Sequence, residues 1–472
     1  MTALAPAGLA NTPSDTFTGT VRSSHRGTFG GKTLRYTATV ESTLIKDKAG
    51  RDALSVVTTS YEVPGKDRPV IFFFNGGPIV ASLYLHLGLF APRIMRFPND
   101  PKAPFSDAAM VDNPHTPLEL ADLVAIDPAG TGFSRPLSGV DLKAWANVEA
   151  DAEEFAQLVR AWLKLRGRQN SPVYIMGESY GTVRAPKLVE KLATGDQPVR
   201  LGGVILIGQA ANIADYVQRP TNIISYVVSL PTLAATAWYH NAVDRKGLSL
   251  EAFVGEARKF ADTTYLEGLY RGAELPDEQV KSLADTLSGF TGVPAAYFSS
   301  HRLRLSKEAF RPLLFKDKGL IVGMTDTRYV GPVKDKDPAR GLSDTLEKAY
   351  PTYLRDFLKV DTAMTYVPMV DFGKDFEGWD YGNKMGPFGD WPFYASISKA
   401  LEKQPKMQIM VGGGYFDTQT SIGAAEYLLK QAGWPKENSR LTYYEGGHMC
   451  YSNPSAQAKL CNDLRDLIKS AA

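Results

Sequence analysis

The chain has 472 residues, 44% of them hydrophobic, 22% charged and 11% aromatic, and its 53 basic against 51 acidic side chains leave a net charge of +2. Those values exclude a disordered or fibrous chain, and the charge favours neither a nucleic acid nor an acidic membrane as partner. Two cysteines, Cys450 and Cys461, cannot staple so long a chain, so a large buried core must hold it. Their spacing permits one local disulfide; two free thiols are the reading adopted.

In chain order, residues 1–15 are rich in Ala, Pro, Thr and Ser and are expected to be flexible. No Lys or Arg precedes Arg22 and no clean apolar stretch is present, so the amino end is not a signal peptide as written. The expectation is a soluble protein, either cytoplasmic or exported after loss of a leader. Residues 34–45 and 53–63 alternate as half-buried strands around the turn-forming KDKAGRD, which predicts an antiparallel opening to the sheet. The segment Gly27 to Thr33 looks like a phosphate-binding loop, but Arg26 stands where its first glycine should and no buried strand precedes it.

The pattern then changes to short, solidly apolar strands at 70–74, 123–126, 173–176, 204–207 and 408–411. Such runs, bounded by Gly or Pro, are what strands covered on both faces look like. The nearly apolar run Ile79–Ala91 is 13 residues long and contains His86, whereas a membrane-spanning helix needs roughly 20. Residues 147–166 carry Phe155, Leu158, Val159, Trp162 and Leu163 at helical spacing, with Asn147 as N-cap. Strands alternating with helices predict a mostly parallel central sheet with helices on both faces. From 213 to 390 that rhythm stops, and aromatics and short helical patterns take over. The expected organisation is a core from 16–212 and 391–472, with 213–390 inserted as a cap over the sheet. Tyr226, Trp238, Tyr239 and Phe372 are its expected pocket aromatics.

The strongest motif is Gly177-Glu178-Ser179-Tyr180-Gly181, directly after the strand at 173–176 and before a helical stretch. A G-x-S-x-G turn in that context is a nucleophile elbow: the tight turn lifts Ser179 Oγ clear of the backbone. A serine hydroxyl needs a base. Of the six histidines, His448 in Glu445-Gly446-Gly447-His448 follows the strand-like LTYY in the required order. His301 also follows Ser179, but in the expected cap; His25, His86, His115 and His240 are read as packing or surface residues. Asp417, the only carboxylate in the loop after strand 408–411, is the acid that would fix the imidazole tautomer. An oxyanion hole needs two converging N–H groups, one from Tyr180 and one from the loop Asn75-Gly76-Gly77-Pro78. No dinucleotide fingerprint follows a strand and no His/Cys cluster has ligand spacing, so neither cofactor nor metal is expected.

Together FFNGGP (73–78), LHLGLFAPR (85–93), DLVAIDPAGTGFS (122–134), GESYGT (177–182), LPTLAATAWYH (230–240), GGYFD (413–417) and YYEGGHMCY (443–451) resemble the serine carboxypeptidase family, especially its bacterial branch. The resemblance implies an α/β-hydrolase fold with an inserted cap, and Ser179, Asp417 and His448 as triad. It also implies that the Gly77 and Tyr180 amides form the oxyanion hole, and that Asn75 and Glu178 lie near a substrate carboxylate. The family's Gly-Ser-Ser after NGGP is here Ile79-Val80-Ala81, and the glutamate of its eukaryotic members falls, by ungapped count, on Leu89. Asn75, Gly76, Glu178, Ile79 and Leu89 are then the expected substrate-binding residues. The chain lacks the several disulfides of those members.

The expected activity is cleavage of an amide or ester bond in a peptide or small molecule through an acyl-enzyme on Ser179. An esterase or amidase for a non-peptide substrate, an acyltransferase, and a non-catalytic binding protein are the alternatives. With one carboxyl of the family's pair missing, neutral substrates are expected to be preferred near neutral pH. The sequence does not read an oligomeric state.

Overall fold

A computed structural model describes residues 16–370, 378–382, 391 and 393–470. The expected flexible start and Phe372 lie outside the described residues. The chain opens with β1 (Thr20–Phe29), β2 (Lys32–Lys46) and β3 (Asp52–Glu62), paired antiparallel in sequence order. The phosphate-loop look-alike is simply the turn between β1 and β2. Next come β4 (Val70–Phe74), the ribbon β5 (Arg93–Arg96) and β6 (Ala109–Asp112), β7 (Asp122–Ile126), and the two-residue β8 (Arg135–Pro136). β9 (Val173–Glu178) and β10 (Leu201–Ile207) complete the first half. β11 (Leu320–Val322) pairs only with β12 (Val330–Pro332), and β13 (Gln408–Gly414) and β14 (Ser439–Tyr444) close the chain.

The main sheet runs β1-β2-β3-β7-β4-β9-β10-β13-β14, with β8 alongside β3. From β7 to β14 all pairings are parallel. β4 shows why these strands are apolar at every position. Val70, Phe72 and Phe74 face one core with Trp162 and Leu188, whereas Ile71 and Phe73 face the other with Phe90 and Leu460. Alternate side chains point to opposite faces, so a strand covered on both sides must be apolar throughout. Helix Val148–Leu165 starts where its cap predicts, with Asn147 Oδ1 accepting from Ala150 N at 2.9 Å. It turns Phe155, Leu158, Val159, Trp162 and Leu163 into the sheet, each worth roughly 1.5–3 kcal/mol on burial. Cys450 and Cys461 are both free and buried.

Between β10 and β13, the described residues add no strand to the main sheet. Helices from Ile223 to Phe357 bury a core of their own around Leu233, Phe253, Leu287, Phe290 and Phe310. The same stretch returns along the loop after β4: Val80 bridges Met369, and Val370 N donates to Ile79 O at 3.1 Å. Among the described residues, no helix is long and apolar enough to cross a membrane.

Candidate active site

Ser179 follows β9 directly and is held at φ 58°, in the left-handed region that a non-glycine residue rarely occupies. The turn is tight enough that a Cβ on Gly177 would lie 2.1 Å from the Gly181 carbonyl oxygen. Ser179 N donates to Ile207 O on neighbouring β10, and helix Gly181–Thr194 begins two residues on. Ser179 therefore sits at the carboxyl end of the parallel strands, where the helix dipole favours negative charge.

Asp417 and His448 come from the loops after β13 and β14, which are adjacent parallel strands. His448 Nδ1 donates to Asp417 Oδ2 at 2.7 Å. Asp417 is fully buried and saturated: Oδ1 accepts from Gln419 N and Thr420 N, and Oδ2 also accepts from Thr420 Oγ1 at 2.5 Å. A carboxylate so fixed sets one imidazole tautomer and leaves Nε2 to act as base. Burial disfavours the imidazolium of His448, but the charge and hydrogen bond of Asp417, with the charge of Glu178, outweigh it. The pKa rises from 6.5 to about 9.

The loop after β4 packs on the elbow. A Cβ on Gly76 would lie 2.4 Å from Tyr180 N, one of the two expected oxyanion donors. Gly77 follows at φ 107°. Beneath this loop lies Arg184, wholly buried, which donates to the carbonyls of Asn75 at 3.1 Å and Pro78 at 2.9 Å. Its charge is met by buried Asp151 at 2.8 Å, which also accepts from Tyr180 OH. Sequence reasoning missed both, although a charged residue on the inward face of the helix at 181–194 was a usable signal. Replacing Arg184 with methionine should cost about 3–5 kcal/mol in urea unfolding, because it strands a buried carboxylate. Adding Asp151→Leu should recover most of that loss. A single-variant loss under about 1 kcal/mol would mean the pair does not hold the loop.

Asn75 and Glu178 are brought together: Asn75 Nδ2 donates to Glu178 Oε2 at 3.2 Å. Tyr451 OH, unforeseen from sequence, donates to the same oxygen at 2.7 Å. Burial dominates the other influences on Glu178 and pushes its pKa to about 7. Ile79 and Leu89 do not join this group. Ile79 packs into the core that also holds Val370, and Leu89 is fully buried in the opposite core. Their burial follows from the chain crossing over residues 79–81 and from the π-helical turn His86–Phe90. Of the expected pocket aromatics, Tyr239 packs on Phe416 beside the acid loop at 5.1 Å. Tyr226 lies in the insertion's own core, whereas Trp238 packs both against that core and, with Tyr239, against the cluster that holds Phe416. His301 is exposed and bonds to Ser300 and Tyr297 of its own helix. Among the described residues, no group of three or more His, Cys, Asp or Glu could hold a metal ion.

Residues 46–263 match the family model for serine carboxypeptidases. That stretch holds Ser179 and the loop 75–78, but neither Asp417 nor His448. A serine-type carboxypeptidase F of Aspergillus niger is 26% identical over 161 residues, covering 34% of this chain and 28% of that protein. The serine carboxypeptidase-like 8 protein of Arabidopsis thaliana is 24% identical over 164 residues, covering 33% and 36%. The aligned stretches thus span about a third of the length of these curated relatives. Among solved structures, Kex1(Δ)p, a prohormone-processing carboxypeptidase of Saccharomyces cerevisiae, matches over 91% of both chains with a TM-score of 0.55 at 14% identity. The fold is that of the α/β-hydrolases. Residues 46–263 are thus similar to the serine carboxypeptidases; the fungal and plant proteins found give the expected bacterial branch no support.

Proposed function

We propose that the protein is a serine hydrolase that cleaves neutral ester or amide bonds through an acyl-enzyme on Ser179. The observation that carries the reading is the His448–Asp417 pair at 2.7 Å, at the same carboxyl edge of the parallel strands as a serine held at positive φ. In this mechanism Ser179 Oγ attacks the substrate carbonyl while His448 Nε2 takes its proton. The Tyr180 and Gly77 amides receive the oxyanion, and Asp417 stabilises the imidazolium. His448 then protonates the leaving group, and water attacks the acyl-enzyme by the same route.

Electrostatics supports the preference for neutral substrates. A free C-terminal carboxylate would need Glu178 uncharged, which holds below about pH 7. The base must be unprotonated, a condition reached only as pH approaches about 9. The two conditions pull in opposite directions along the pH scale. This moves the expected optimum above the near-neutral value that an unpaired imidazole suggests. On an N-blocked dipeptide ester or amide, kcat/KM should climb from pH 6 towards pH 9, with the free-acid dipeptide poorer throughout. A pH–rate profile on both substrates is the test. A maximum near pH 5 with the free acid preferred would make Glu178 a working acid and the protein a plain carboxypeptidase.

A further inference from the structure

The loops carrying the acid and the base are bonded to each other by Tyr415 N to Tyr444 O and Phe416 N to Gly446 O. A third segment binds both. Met324–Arg328, the connection between β11 and β12 in the insertion, offers one hydrogen bond from each of its successive residues. Met324 O accepts from Thr418 Oγ1 at 2.6 Å and Thr327 N donates to Phe416 O at 3.0 Å, bracketing Asp417. Thr325 O accepts from His448 N at 2.6 Å, Asp326 Oδ2 from Gly447 N at 3.1 Å, and Arg328 Nη1 donates to Glu445 O at 3.2 Å. The approach is close: a Cβ on Gly447 would lie 2.2 Å from Thr325 O.

The segment is itself anchored. Asp326 and Arg328 form a buried ion pair at 2.5 Å, and Asp326 Oδ1 accepts from Arg328 N. His240 Nε2 bonds to Thr327 O, and Thr236 Oγ1 to Thr327 Oγ1, both at 2.7 Å. Buried Lys307, from another helix of the insertion, donates to Gln419 O.

We infer that Met324–Arg328 is a positioning strap that sets the distance between Asp417 and His448, with Asp326 as its principal positioning residue. The inference rests on the proposed triad. An imidazole must be held within a fraction of an ångström to take a proton from one side and return it on the other, and a displacement of about 1 Å can cost about 100-fold in rate. The base loop is glycine-rich, Gly446-Gly447, and has little rigidity of its own. Asp326 touches no reacting atom; it acts through the Gly447 amide and through the charge that keeps Arg328 on Glu445 O. The charged groups around the imidazole are Asp417, Glu178 and the Asp326–Arg328 pair, with Lys307 acting on Asp417.

The test measures fluorophosphonate labelling rates and the hydrolysis of an aryl ester across pH, for the full chain and its variants. Asp326→Ala should slow labelling and kcat by about 100-fold with KM little changed. It should also move the ascending limb of the pH profile down towards 6.5, as the Asp417 bond loosens. Asp326→Asn, which keeps an acceptor for Gly447 N but loses the charge that faces Arg328, should recover part of the rate, with a limb between those of the wild type and the alanine variant. If Asp326→Ala does not fold, Thr418→Val reads the strap from the acid side. It should shift the limb the same way, with roughly a tenfold loss of rate. A folded Asp326→Ala with unchanged rate and limb overturns the strap, as does a Thr418→Val without effect. So does an Asp326→Asn limb displaced as far as that of the alanine variant, since charge and not position would then be at work. Labelling of the wild type anywhere but Ser179 is a different failure: it removes the triad itself, and the strap falls with it.

Discussion

Replacing Ser179 with alanine is expected to lower kcat on the order of a million-fold, because removing the nucleophile disables the triad as a unit. The side chain lies at the strand end on a strained turn, with Tyr180 N and the Gly76 loop beside it. The residue is only half-buried and its side chain is small, so stability should change by well under about 1 kcal/mol. Relief of the positive φ does not come with alanine, which has the same Cβ. Parallel measurements of ester hydrolysis and thermal unfolding check both halves. A variant that retains a tenth of the wild-type rate would show that another group does the chemistry.

The second large effect is expected at the base. His448→Ala should be about as damaging as Ser179→Ala, and the double variant barely worse, since neither residue works without the other. Asp417→Asn should cost less, on the order of ten-thousand-fold, because an amide at that position favours the wrong tautomer. The asparagine would also lose the acceptor that Thr420 Oγ1 and His448 Nδ1 now share. His301→Ala is the control: that ring is exposed and bonds within its own helix, so the rate should be unaffected. Steady-state kinetics on one neutral ester decides the ranking. Additive losses in the Ser179/His448 double variant would mean that the two residues do not act together.

The legible parts of this site are contiguous in the chain. Ser179 between two glycines, the Asn75–Pro78 turn, and Asp417 and His448 in loops after strands can be read because each ends an apolar strand, and parallel strands bring their ends to one edge. β4, β7, β9, β10 and β13 were equally readable, since two-sided burial leaves an unbroken apolar run. What escaped reading depends on contacts between distant segments. Tyr451 is in contact with Glu178 across 273 positions of sequence, and Asp326 with Gly447 across 121. Neither carries a local pattern. Ile79 and Leu89 show the opposite failure: counting from a motif placed them in a pocket, but a crossing chain at 367–370 and a π-helical turn bury both. Tyr226 falls outside the expected pocket because an insertion large enough to need its own core spends aromatics on it.

The central claim is that Ser179 is the residue that becomes acylated. The most direct measurement is reaction with a fluorophosphonate probe, followed by proteolysis and mass spectrometry of the modified peptide. The account predicts one adduct, on Ser179, formed faster as pH rises from 6 to 9 and absent from Ser179→Ala. An adduct on any other residue, or undiminished labelling of Ser179→Ala, would contradict it.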